Sequence, residues 1–222
     1  MENATEQEIT VNLHDTIGKW ESTIHDNKIA FVKMDYDTSP EDPTKSESAN
    51  GTIYSFSRRH SNFIGNDKEA MIEDLLKNKE AVRLSYFEHG QSLWMVAEAP
   101  TPPGVEFQWD GVRFAGLWVP DKEVFANIEF DGPVTGEERR TKLLAYAAGV
   151  VEQFSDWCNG NVYGYKIEVY PLKKDEDGIV IDEIEHYQEN VQAIECDSCC
   201  GFYGFADFEE EVRQTVRGNL TD

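Results

Sequence analysis

Basic residues are scarce in this sequence of 222 residues. It contains 20 Lys and Arg residues but 43 Asp and Glu residues, and the formal net charge at pH 7 is −23. A surface with this excess of negative charge repels nucleic acids and anionic membranes, and it attracts basic protein surfaces over long distances. Because of this charge, we do not predict that the protein binds directly to nucleic acid or to a membrane.

Long apolar runs are also missing. No segment approaches the ~20 apolar residues that a membrane-spanning helix needs. Residues 1–15 are polar and acidic, without the basic and apolar regions of a signal peptide. We therefore expect a cytoplasmic protein, whose cysteines are reduced thiols or metal ligands rather than disulfides.

Cysteine is rare, with four residues in the chain. Cys196 and Cys199 form one C-x2-C pair, a spacing that lets two thiolates grip one zinc ion from a tight turn, but a second such pair is missing. The candidate zinc ligands are Cys158, Cys196, Cys199 and His186. On the alternative reading, residues 196–200 are small buried side chains at the end of a strand, in a turn that the following glycines permit.

No group of residues has the spacing of a known catalytic site. The sequence has no Gly-rich phosphate loop, and its strands do not alternate regularly with helices as in a nucleotide-binding fold. Nothing places a histidine beside a cysteine to lower the pKa of the thiol. The acidic residues are too numerous for a catalytic pair to be selected. We predict that the chain is not an enzyme and, the zinc alternative aside, carries no cofactor.

Apolar residues make up 40% of the sequence and aromatic residues 12%, which is typical of a folded globular protein. Residues 137–157 carry apolar side chains at helical spacing and predict a long helix, and residues 206–216 predict a C-terminal helix. Residues 81–98 predict one β-hairpin and residues 105–119 another. The predicted fold class is α+β: an antiparallel sheet built from hairpins, with the long helix and the C-terminal helix packed on it.

The order of these elements predicts two regions along the chain. Residues 1–135 form a mostly β N-terminal region. Residues 136–222 form a C-terminal unit of helix, hairpin, strand and helix, whose hairpin joins residues 162–170 to residues 179–184 across a strong turn signal. We expect the two regions to make one compact domain.

Two aromatic motifs stand out in the last third of the chain. Residues 159–165 read N-G-N-V-Y-G-Y, and residues 197–204 read D-S-C-C-G-F-Y-G. The pair resembles the N-G-x-V-Y-G-Y and D-S-C-x-G-F-Y-G motifs of small uncharacterised proteins encoded by bacteriophages, in which Trp usually stands at the position of Cys200. The resemblance implies no particular activity. It implies a phage origin, a location in the bacterial host cytoplasm and a function directed at host machinery.

Acidic residues are dense in the same part of the chain. Residues 161–222 include 15 acidic and 5 basic residues, so their charge difference is 5 − 15 = −10. Such residues usually form a solvated face, and they are also where a basic partner would dock. The predicted partner-binding residues are Asp175, Glu176, Asp177, Asp182, Glu183, Glu185, Asp207, Glu209, Glu210 and Glu211.

These features predict an acidic, phage-encoded inhibitor that binds a basic host protein. The expected partner is a nucleic-acid-processing defence protein of the restriction or CRISPR type, to which the inhibitor presents carboxylates in the place of DNA. A homodimer is compatible with these features.

Arg58, Arg59 and His60 form the one dense basic cluster in the first half of the chain. Paired arginines at the end of a strand can bind a phosphate or carboxylate ligand, but such a cluster more often balances neighbouring acids. A module that binds an anionic ligand here, or zinc at residues 196–200, is the alternative function.

Overall fold

The computed structural model describes residues 9–11, 13, 17–46, 49–66, 68–78, 80–130 and 132–221. These residues form eight strands and five helices. In chain order the elements are β1 (Trp20–His25), β2 (Lys28–Tyr36), β3 (Gly51–Ser55), α1 (Glu69–Lys77), β4 (Val82–Glu88), β5 (Ser92–Val96), β6 (Gly111–Pro120), α2 (Lys122–Ile128), α3 (Gly136–Asn159), β7 (Val162–Pro171), α4 (Ile184–Asn190), β8 (Glu195–Tyr203) and α5 (Phe205–Thr221).

The predicted α+β class is confirmed. All strands pair antiparallel in two four-stranded sheets: sheet A, with the order β1-β2-β7-β8, and sheet B, with the order β3-β6-β4-β5. The predicted long helix and C-terminal helix are α3 and α5. Among the described residues, none of the helices combines the length and the apolar character that crossing a membrane requires.

The chain divides into two compact units. Unit 1 comprises residues 1–40 and 160–222, and unit 2 comprises residues 41–159. The predicted boundary lay after residue 135. The observed division differs from it, because α3 belongs to the same unit as the β-rich segment that precedes it. Sheet A belongs to unit 1 and sheet B to unit 2.

Side chains of α3 explain why this helix belongs to unit 2. The Ser155 hydroxyl accepts the Trp94 backbone N–H at 2.9 Å. Asn159 Oδ1 accepts the Ser92 N–H at 2.7 Å, and Asn159 Nδ2 donates to the Ser92 carbonyl at 2.8 Å. The Asn159 amide therefore pairs with the outer side of β5 as another strand would. The predicted apolar face of the helix, including Phe154, is buried in the core of this unit.

The two faces of sheet A carry separate cores. On one face, Ile167 and Val169 of β7 pack with Phe208 and Val212 of α5. On the opposite face lies a smaller cluster, whose buried members are Ile29, Phe31, Tyr170, Ile184 and Tyr187. Helices α4 and α5 therefore lie on opposite sides of sheet A, as the alternation of side chains along β2 and β7 requires.

Two predicted strand pairings are wrong. The hairpin at residues 81–98 is confirmed as β4–β5, but residues 105–109 form turns rather than a strand. Strand β6 pairs instead with β3 at residues 116–120 and with β4 on its other side. The predicted return strand at residues 179–184 reduces to one bridge between Lys174 and Val180.

The second error follows from the burial of two side chains. Ile184 and Tyr187 are 5% and 0% exposed against sheet A. They are three residues apart, and this spacing brings both to one side of a helix but not of a strand. Helix α4 therefore begins at Ile184, where a strand was predicted to end.

Candidate functional site

The two aromatic motifs meet on neighbouring strands of sheet A. Strand β7 pairs with β8 so that Val162 lies opposite Tyr203, Tyr163 opposite Phe202, and Tyr165 opposite Cys199. Motifs that are far apart in sequence are therefore in direct contact in the fold.

Phe208 is the centre of the aromatic cluster beneath the motifs, and it is 1% exposed. The Tyr163 ring stacks on it at 5.4 Å and 16°, and the rings of Phe202 and Phe205 lie 5.2 Å and 6.1 Å away. The conspicuous aromatic residues thus serve the core of unit 1, and Tyr163, at 6% exposed, is closed to a large partner.

A change of register between Tyr163 and Gly164 explains two motif glycines. At this bulge the strands approach so closely that a Cβ on Gly164 would lie 2.9 Å from the Cys199 carbonyl oxygen. Gly201 is the extra residue of β8, and it has a φ of +87°, a conformation that glycine adopts without steric cost. The glycines therefore permit the pairing of the two motifs.

Residues 196–200 form part of β8 and not the predicted turn. Asp197 lies opposite the buried Ile167, and Cys196 lies opposite Glu168. Since side chains alternate along a strand, Cys196 and Cys199 point to opposite faces of sheet A. The two thiols therefore cannot bind the same zinc ion, as they could in a tight turn.

The remaining candidate zinc ligands do not complete a site. Among the described residues, no three His, Cys, Asp or Glu side chains are grouped so that they could hold a metal ion. Neither Cys158 nor His186 belongs to such a group. Desolvation, together with the negative charge of Asp42, raises the pKa of Cys158 to about 11, which disfavours the thiolate form that a zinc ion would bind.

Arg58, Arg59 and His60 do not converge on one ligand. Arg58 donates to Asn66 Oδ1 at 2.7 Å, and Arg59 donates to Glu88 Oε2 at 3.0 Å.

His60 turns towards the interior of unit 2. Its Nδ1 lies 2.7 Å from Ser55 Oγ, and its ring lies 4.8 Å from that of Tyr86 and 5.5 Å from that of Trp94. Desolvation and the charge of Arg59 lower the pKa of His60 against the opposing effect of Glu88. The neutral ring is therefore part of the packing.

Arg58 alone of the cluster lines a cavity of about 440 Å³ in unit 2. The charged residues around the cavity are Arg58, Lys68, Glu69 and Glu73, and its aromatic residues are Phe56, Phe63 and Phe114. Two cationic and two anionic side chains balance each other there, so the charge of the cavity does not select an anion.

A buried carboxylate that the sequence analysis missed lies on β7. Glu168 is 4% exposed, and it accepts hydrogen bonds from Lys166 at 2.5 Å, Tyr170 at 2.6 Å and Gln188 at 3.0 Å. Burial raises the pKa of Glu168, but the three hydrogen bonds together lower it by more than burial raises it. The pKa of Glu168 therefore lies below its ordinary value. Burial and the neighbouring Glu168 raise the pKa of Tyr170.

The signal for this network was the spacing of Lys166, Glu168 and Tyr170, because a period of two puts all three on one face of a strand. Every group of the network has a partner within the fold. It is therefore a structural ionic cluster that links β7 to α4.

The predicted partner-binding residues all lie between Asp175 and Glu211. This stretch contains 13 Asp and Glu residues and not one Lys or Arg. Nine of the ten predicted residues are exposed. The tenth, Glu209, is half-buried and forms an ion pair with Arg213 at 2.6 Å.

The exposed acids form two groups on opposite sides of sheet A. Glu183 and Glu185 belong to the start of α4, and Glu210 and Glu211 belong to α5. Strand β8, at the edge of the sheet, adds Glu195 and Asp197 between them in sequence. The carboxylates thus do not make one flat face. They lie on both sides of sheet A.

Three tryptophans lie in the segments that were predicted to form hairpins, and they differ in exposure. Trp94 and Trp118 are buried at 3% and 0% exposed, whereas Trp109 is 78% exposed. Trp109 therefore has the accessibility of an interface residue, and exposed aromatic side chains contribute strongly to binding when a partner covers them.

Comparison of the chain with models of protein families, with curated proteins and with solved structures found no match.

Proposed function

We propose that this chain is a non-enzymatic acidic inhibitor that binds a basic surface of a host nucleic-acid-processing protein. The observation that carries the proposal is the stretch from Asp175 to Glu211, which presents exposed carboxylates and contains no Lys or Arg to neutralise them. A basic protein surface is the natural complement of such a region. The resemblance of the motif pair to phage-encoded proteins favours a host defence protein as the target.

The arrangement of the acids refines the way in which the inhibitor binds. A mimic of straight duplex DNA requires a continuous row of charges, with one charge about every 1.7 Å along the axis. The acids of α4 and α5 lie on opposite sides of sheet A. The proposal is therefore an acidic edge that enters a basic cleft, with the carboxylates of both sides facing the walls of the cleft.

The test is affinity capture from a bacterial host lysate with the tagged protein as bait, elution by rising salt, and mass spectrometry of each fraction. Wild type should retain a basic nucleic-acid-binding enzyme that moderate salt or added DNA releases, because both weaken a charge-driven complex.

Three matched variants, each with three carboxylates neutralised, locate the binding surface. The variant of the α4 side is Glu176→Gln, Glu183→Gln and Glu185→Gln, and that of the α5 side is Asp207→Asn, Glu210→Gln and Glu211→Gln. The control in unit 2 is Glu106→Gln, Glu123→Gln and Glu152→Gln, which are equally exposed.

Both unit 1 variants should release the enzyme at lower salt than wild type, and the control should behave as wild type. Equal losses in all three variants would show a mere effect of net charge. Either that result or the failure to retain any basic protein would refute the proposal.

A further inference from the structure

Strand β8 is an open edge of sheet A. Among the described residues it pairs with β7 only, and its nine residues exceed the six of β1 at the other edge. Alternate backbone N–H and C=O groups of an edge strand point away from its neighbour and can pair with another chain. The side chains from Glu195 to Cys200 are exposed, apart from the half-exposed Asp197.

The edges of sheet B show the contrast. The Asn159 amide occupies the outer side of β5 at Ser92. The outer side of β3 is covered at Ser55, whose N–H donates to the Asn62 carbonyl at 2.9 Å. Edge strands are commonly protected by Lys, Pro or a β-bulge as well. Strand β8 contains neither Lys nor Pro, and its bulge at Gly201 lies beyond the segment from Glu195 to Cys200.

The two faces of β8 differ in chemistry. Glu195 and Asp197 lie opposite Val169 and Ile167, and they therefore project on the face of sheet A that carries α5. The side chains on the other face are small: Cys196, Ser198 and Cys200. A strand added beside β8 would consequently meet carboxylates on one face and small side chains on the other.

We propose that β8 accepts an extended basic segment of the partner protein as a fifth strand of sheet A. The segment carries Lys or Arg at every second residue, which lie beside Glu195 and Asp197, and small or β-branched residues between them. Directly opposed side chains on neighbouring strands lie ~5 Å apart, close enough for these charges to interact. The inference rests on the proposed function and specifies the form of the basic partner.

A second copy of this chain is expected to pair with β8 less favourably than a basic segment does. It would bring the carboxylates of its own β8 beside Glu195 and Asp197, in a protein whose formal net charge is already −23. Opposed like charges destabilise strand pairing.

Two synthetic peptides of equal composition test the alternation, and both are acetylated at the N-terminus and amidated at the C-terminus. One has the sequence K-T-K-T-K-T-K-T, which alternates, and the other has the sequence K-K-T-T-K-K-T-T, which carries the same charge but has no two Lys residues two positions apart. Isothermal titration calorimetry at low salt should give binding of the alternating peptide that is at least about tenfold tighter, because only this peptide can place Lys beside both Glu195 and Asp197 at once.

Two N-methylated forms of the alternating peptide test the backbone hydrogen bonds. One is methylated at every Lys and the other at every Thr. Only one set of N–H groups faces β8, so one form should lose binding about tenfold or more, whereas the other retains it.

Protein variants locate the site of peptide binding. The double variant Glu195→Gln with Asp197→Asn should weaken binding of the alternating peptide about tenfold. The control, Glu106→Gln with Glu123→Gln, removes two exposed charges of unit 2, and should change binding less than about twofold.

Any one of three peptide-binding results would overturn the edge proposal: equal binding of the two peptides, indifference to methylation at both sets of positions, or equal effects of the two protein variants. A protein that gives one of these results but still captures a basic enzyme from lysate keeps the proposed function and loses the edge proposal. A protein that discriminates the peptides but captures no basic enzyme loses the proposed function instead. A dimer in sedimentation that the Glu195→Gln, Asp197→Asn variant strengthens would assign the edge to a second copy and overturn the proposal.

Discussion

Truncation of Phe208 to Ala should strongly destabilise unit 1. This side chain is 1% exposed and touches the rings of Tyr163, Phe202 and Phe205. Removal of a buried Phe side chain costs about 3–5 kcal/mol of unfolding free energy, since apolar burial is lost and a cavity remains. The three ring contacts place the expected cost in the upper half of that range, because aromatic pairs contribute beyond their buried area. Phe208→Leu, which retains most of the volume, should cost less than about 1.5 kcal/mol.

The assay is urea-induced unfolding, followed by circular dichroism and tryptophan fluorescence. Phe154→Ala is the matched control in unit 2, where Phe154 is 3% exposed beside the rings of Trp94 and Trp157. If the two units unfold in separate transitions, Phe208→Ala should shift one and Phe154→Ala the other. Trp109→Ala, at an exposed position, should change the unfolding free energy by less than about 0.5 kcal/mol.

A loss below about 1 kcal/mol for Phe208→Ala, at an unchanged denaturant dependence, would refute this reasoning. It would mean that the paired motifs are not the core of unit 1. The aromatic residues would then be available to a partner.

Three further predictions concern individual side chains. Glu168→Gln should destabilise the protein by about 1–3 kcal/mol at pH 7. The folded-state pKa of Glu168 is lowered, so its stabilising contribution is present above the unfolded-state pKa and lost as pH falls through the folded-state pKa. The difference from wild type in urea unfolding should therefore shrink below about pH 4, and a difference that is constant with pH would contradict the network. The folded-state pKa of His60 is also lowered, and for a base this means that stability falls as pH drops below the unfolded-state value. Thermal unfolding from about pH 7.5 to about pH 5.5, a range that spans the ordinary pKa of His, should show this fall in wild type but not in His60→Gln, and parallel curves would contradict it. Purified protein should contain less than about 0.1 zinc per chain by elemental analysis, since Cys196 and Cys199 lie on opposite faces of a strand and a structural thiolate site would hold its metal tightly. Stoichiometric zinc that a chelator removes with loss of structure would contradict the strand assignment.

Helices were the part of the fold that the sequence predicted well. The periodicity of residues 137–157 and 206–216 located α3 and α5, because their apolar side chains recur at the spacing of one helix face. Strand pairing was less predictable. The hairpin at residues 105–119 failed because β6 takes its neighbours from distant segments, and a local turn signal carries no information about them.

The candidate sites depended still more on tertiary structure. A C-x2-C spacing suits a metal in a turn but separates the thiols in a strand, and the sequence did not decide between these conformations. The predicted basic cluster likewise does not form one site. Its three side chains contact Glu88, Asn66 and Ser55 instead, which lie in different parts of unit 2.

By itself the sequence determined the net charge, the acidic stretch without Lys or Arg, the α+β class and the two longest helices, since these depend on composition and on local periodicity. Only the tertiary structure decided that the aromatic motifs pair with each other, that the acids lie on both sides of a sheet, and that β8 is an open edge. These properties depend on which distant segments become neighbours, and strand pairing and burial select those neighbours when the chain folds.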